Sequence, residues 1–158
     1  MFGWIALSLI LFSETDRKIE VLKDAWRETG RANGYEDGYR KGKDRGFKMG
    51  LSEGKAACLA GCMSCILPFP QVTVPTPPTK EIEKFRGKKP VLAENPTLED
   101  IKAFYIALGY YEGFEEGFRK GFEDGYRNGY AKGTKEASGL LGVFLLGSVI
   151  LGVLLTHI

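Results

Sequence analysis

The sequence predicts an all-α fold: a long antiparallel helical hairpin with two glycine zippers in right-handed close packing, continued by a C-terminal transmembrane helix. Three observations predict it. Glycine recurs at every fourth position in two stretches, Gly30, Gly34, Gly38, Gly42, Gly46, Gly50 and Gly54, then Gly109, Gly113, Gly117, Gly121, Gly125, Gly129 and Gly133. On the far face of each stretch charges alternate in sign at i, i+4, as in Glu36, Arg40, Asp44, Lys48 and Glu115, Arg119, Glu123, Arg127. The final 22 residues, 137–158, carry no Asp, Glu, Lys or Arg.

A glycine inside a helix costs about 1 kcal/mol relative to alanine, so each stretch needs a partner packed along it to recover the loss. A stripe of period four drifts about 40° per repeat and winds right-handed around the helix. Two such helices in contact cross at roughly 40°, the close Gly-x-x-x-Gly packing in which backbones exchange Cα–H···O contacts. In the second stretch every residue after a glycine, from Tyr110 to Tyr130, is aromatic; the first has only Tyr35, Tyr39 and Phe47. Those rings are read as walls of the seam. The alternating charges mark a water-bathed face, which places the zippers outside a bilayer.

Taken in order, residues 1–13 form a short apolar anchor. Phe2 to Phe12 is continuously apolar, yet about 12 residues rise only ~18 Å, short of a ~30 Å hydrocarbon core. It lacks a basic leader and a small-residue cleavage site, so it is expected to be retained. Residues 14–67 make helix 1, capped by Ser13 with Asp16 and stopped by Pro68 and Pro70. Its last turns carry Cys58, Cys62 and Cys65. The C-x3-C-x2-C spacing is the one by which radical S-adenosylmethionine enzymes hold a cluster, but those cysteines sit on a loop above a large barrel that this chain is too short to form. Buried packing is the plainer role for them; lipid modification, a disulfide to a neighbour and a metal site are the alternatives.

Residues 68–96 form a Pro-rich connector. The string PFPQVTVPTPP is extended and partly polyproline-like, with a short helix expected around Ile82 to Phe85, and a connector of this length is a docking candidate. Residues 97–136 make helix 2, opened by Pro96-Thr97 with Asp100. Residues 137–158, at ~33 Å of helix, are long enough to span a membrane. Arg127, Lys132 and Lys135 precede that span, which puts the bulk of the chain on the cytoplasmic, matrix, stromal or virion-interior side. If paired residue numbers sum to about 163, Leu67 faces Pro96 and the repeats align antiparallel. The same alignment sets charged residues 13–24 beside apolar residues 139–150, a mismatch that other subunits would have to cover.

Composition narrows the function. A net charge of +2 over 158 residues offers nothing to a polyanion, so no nucleic-acid partner is expected, and the lone histidine, His157, leaves no histidine chemistry. No catalytic residue and no cofactor is assigned, and Cys58, Cys62 and Cys65 are the only metal candidates. The fourteen stripe glycines are the helix-packing residues. The strings GRANGYEDGYRKGKDRGFKMGLSEG and GYYEGFEEGFRKGFEDGYRNGYAKG resemble the serial Gly-x-x-x adaptor proteins that deliver iron-sulfur clusters, and the glycine-repeat segment of the FliH family of flagellar export regulators. That resemblance implies a protein-protein connector. The expectation is a non-enzymatic, membrane-anchored structural subunit of a larger assembly, an organellar membrane complex or a membrane-containing virion. Its partners would be other subunits, the lipid bilayer and, as an option, further copies of itself. The alternative is an adaptor that handles a cluster or metal through the three cysteines.

Overall fold

The computed structural model describes the backbone of residues 2–60 and 72–155 and the side chains of residues 17–60 and 72–139. Three helices make up the described chain: α1 (Phe2–Ala60), α2 (Thr79–Arg86) and α3 (Leu98–Leu155). α1 runs unbroken through residues 13–18, because no proline or glycine occurs between Trp4 and Thr29 to break it. The expected end of helix 1, residues 61–67, lies outside the described residues. α3 begins with a reciprocal cap. The Asp100 amide donates to Thr97 Oγ1 at 3.2 Å, while the Asp100 carboxylate accepts from the Thr97 amide at 2.9 Å and from its hydroxyl at 2.6 Å. Those bonds, the hydroxyl's first, hold the Asp100 carboxyl below its ordinary range. α2 ends at Gly87, whose φ of 79° is glycine territory, and the Gly87 amide donates to the Glu83 carbonyl at 3.1 Å.

The chain divides into two compact units, Met1–Tyr39 with Pro78–Phe118 and Arg40–Pro77 with Arg119–Ile158. In the first, a Cβ added to Gly30, Gly34 or Gly38 would lie 2.0–2.2 Å from the carbonyl oxygens of Ile106, Tyr110 and Phe114 respectively. In return, a Cβ on Gly109, Gly113 or Gly117 would lie 1.9–2.1 Å from the carbonyl oxygens of Arg27, Arg31 and Tyr35. The second unit repeats the pattern. Gly46, Gly50 and Gly54 sit against Phe122, Tyr126 and Tyr130, and Gly125, Gly129 and Gly133 against Lys43, Phe47 and Leu51, at 2.1–2.4 Å. Each of these twelve glycines abuts the carbonyl three residues before the glycine 79 positions away, so one of its Cα–H bonds points at that oxygen.

The hairpin-like pairing of two long helices is present, but its direction corrects the expected antiparallel register. Partner numbers rise together, with a constant difference in place of a constant sum, so α1 and α3 run parallel within each unit. A glycine at every fourth position reads the same from either end and cannot choose a direction. Parallel neighbours need a long return, and residues 61–97 supply one, at up to ~3.3 Å per residue.

The two helices bury very different things. Between Arg17 and Ala60, α1 buries its stripe glycines and Cys58 and nothing else. α3 buries Phe114, Phe118 and Phe122 completely and leaves Tyr126 only 3 % exposed. In the first unit α2 lies over this aromatic row. Ile82 is buried, the Phe85 ring stacks on Phe118 at 6.3 Å, and the Arg86 guanidinium sits 3.8 Å from the centre of the Tyr111 ring while pairing with Glu115. In the second unit the extended residues 72–77 line a groove with Arg119, Phe122, Glu123 and Arg127.

Candidate interaction surfaces of the helix pair

Each unit has two flanks, because the side chains beside the glycine seam reach across it in both directions. On the flank walled by the α3 aromatic row, the Tyr110 hydroxyl donates to Asp37 Oδ2 at 2.8 Å in the first unit. In the second, Tyr126 donates to Glu53 Oε2 at 2.5 Å. Burial, and then the Glu53 carboxylate, push the Tyr126 phenol up to about 12. The ordinary tyrosine value is about 10. Because the folded value is the higher, this contribution to stability is whole below pH ~10 and is lost as pH climbs towards ~12. Tyr126→Phe is expected to flatten that alkaline decline and to remove a late-titrating phenol from a tyrosinate absorbance titration. An unchanged titration would show that the Tyr126 phenol is not held in this way.

The opposite flank is ionic. Arg27 holds Glu112 through two bonds, 2.9 Å from Nε and 2.7 Å from Nη2, and Arg31 reaches Glu116 at 2.9 Å. These carboxylates raise both guanidinium values, by hydrogen bonding first and charge second. In the second unit Lys132 lies 5.6 Å from the centre of the Phe47 ring, and Lys55 pairs with Glu136 at 2.7 Å. The Lys55 hydrogen bond holds the Glu136 carboxyl below its ordinary range. Exposed pairs of this kind select register more than they stabilise.

The two flanks are related by the 79-residue offset. Adding 79 turns Arg31 and Asp37 into Tyr110 and Glu116, so the Tyr110–Asp37 bond on one flank answers the Arg31–Glu116 pair on the other. In the same way Tyr126–Glu53 answers Phe47–Lys132. One flank is closed by the connector and the other faces outward. Sequence reasoning missed this asymmetry, although its signal was present. The positions following the glycines are uniformly aromatic in the repeat that is covered and mixed in the repeat that is not.

No family model, curated protein or solved structure matches the chain. Its site residues therefore rest on geometry alone. Twelve of the fourteen stripe glycines, all but Gly42 and Gly121, have the backbone contacts given above, and Gly42 and Gly121 are buried. Cys58 is buried and disulfide-bonded. Cys62 and Cys65 lie outside the described residues, among which no cluster of His, Cys, Asp or Glu is placed to hold a metal. No helix is long and apolar enough to cross a membrane among the described residues. The side chains of most of the apolar stretches, residues 1–13 and 140–158, fall outside the described ones.

Proposed function

We propose that this chain is a non-enzymatic scaffold subunit, a glycine-zipper helix pair anchored to a membrane that holds partner proteins of a larger assembly. The observation that carries the reading is the outward disposition of α1. Its closest approach to α3 is backbone to backbone, so from Arg17 to Ala57 only the stripe glycines are buried and the side chains, those that pair with α3 included, stay at least partly exposed. A helix that buries no side chain along this length is suited to presenting them to others. Right-handed crossing fits the four-residue spacing, which keeps glycines at the contact as the helices wind.

The parallel offset also removes an obstacle to anchoring. With partner numbers rising together, the charged residues 13–24 are no longer set beside the apolar residues 139–150. The terminal stretch 137–158 is the membrane span in this reading, and the basic residues before it keep the helix pair on the cytoplasmic, matrix, stromal or virion-interior side. Carbonate washing of membranes from cells that make the protein tests it: the chain stays in the pellet until detergent is added. Release into the alkaline supernatant would refute the anchor.

A further inference from the structure

We propose that the outward flank of α1 in the first unit, formed by Ala32, Tyr35, Glu36 and Tyr39, is a receptor for a short amphipathic helix of a partner protein. The occupant has the chemistry of α2, an aliphatic residue followed three and four positions later by an aromatic and an arginine. The internal offset supplies the reason. α2 sits on the α3 side with Phe85 on Phe118 and Arg86 between Tyr111 and Glu115. Subtracting 79 from the α3 residues of that site gives Ala32 for Tyr111, Tyr35 for Phe114, Glu36 for Glu115 and Tyr39 for Phe118. The carboxylate and the paired rings recur in the same order on a helix whose backbone meets the seam in the same way.

What differs is cover. Phe114 is 0 % exposed, whereas Tyr35 is 37 % exposed and stacks on Tyr39 at 6.3 Å, 16° from parallel. Glu115 is paired with Arg86, whereas Glu36 is exposed and has no hydrogen-bond or ion-pair partner among the described residues. Tyrosines with an outward hydroxyl suit a face that is wet when free and buried when bound. The unanswered carboxylate asks for an arginine, as Glu115 does. A second copy of this chain does not fit: its α2 is already seated through Ile82, and the face it leaves outward carries Lys80, Glu83 and Lys84. The occupant is therefore a helix from another protein. This inference does not depend on the membrane anchor and survives or fails independently of the extraction result.

The probe is a stapled, fluorescein-labelled peptide of residues 78–87, PTKEIEKFRG, titrated into the full chain in detergent and read by anisotropy. Saturable binding is expected, weakened about tenfold or more by Glu36→Arg in the chain, the loss that goes with one charge-assisted bond. Tyr35→Ala should weaken it similarly, with unchanged circular dichroism showing that the fold persists. The decisive arm is the charge swap: a peptide with Arg86→Glu binds the Glu36→Arg chain and not the native one. Any of four results would overturn the proposal. They are no binding up to millimolar peptide, binding indifferent to Glu36, binding lost with Glu115→Arg as expected for exchange with the chain's own α2, and a self-dimer abolished by Tyr35→Ala.

Discussion

Gly117→Ala is expected to destabilise the protein by about 2–3 kcal/mol, the cost of forcing an atom into a packed contact. The sign is the informative part. In an ordinary helix the same change gains up to about 1 kcal/mol, because alanine loses less backbone freedom on folding. At Gly117 the new Cβ would stand 2.1 Å from the Tyr35 carbonyl oxygen and 2.8 Å from its carbon, and both belong to backbone that cannot rotate aside. The helices must separate, which loses the Cα–H···O contacts of the neighbouring glycines as well. Gly139, in the same helix, has nothing among the described residues within 4 Å of the equivalent position, so Gly139→Ala should leave stability unchanged or raise it. Denaturant melts of the two variants side by side check this. Parallel behaviour would mean that the glycines are not in contact.

Phe118→Ala should cost about 3–5 kcal/mol, the range for deleting a fully buried ring, and Tyr39→Ala only about 1 kcal/mol. The two positions are equivalent by the 79-residue offset, so the difference measures the cover that α2 provides and not the helix environment. Phe118 packs between Phe114 at 6.1 Å and Phe85 at 6.3 Å. Its loss should loosen α2 first, and hydrogen exchange in residues 79–86 should accelerate before exchange elsewhere in that unit. Equal costs at the two positions would contradict the asymmetry of the flanks.

Fold class was legible because few other arrangements accommodate glycine at every fourth residue amid alternating charges. Direction was not. The stripe carries no polarity, and the one apparent clue, Leu67 facing Pro96 at a summed number of 163, was a coincidence of helix ends. The residues that do carry polarity are those beside the seam. Arg27 with Glu112, Arg31 with Glu116, Tyr110 with Asp37 and Tyr126 with Glu53 each join numbers that rise together. Such pairs are hard to recognise beforehand, since in a charge-alternating helix an opposite charge lies within reach in either direction. The role of α2 was equally hidden. Eight residues with Ile82 as the only buried member look like a loop turn until the aromatic row beneath them is placed.

Parallel packing is the claim on which both flanks, their equivalence and the scaffold reading depend. Pulsed dipolar spectroscopy on spin labels carried by unnatural residues at Glu28 and Ala107, both exposed and 79 apart in number, tests it directly. Parallel helices place these labels roughly 20–25 Å apart, two helix diameters. Antiparallel pairing on a sum of 163 would set Ala107 opposite residue 56, about 42 Å along the helix from Glu28, and a distance of that order would contradict the account.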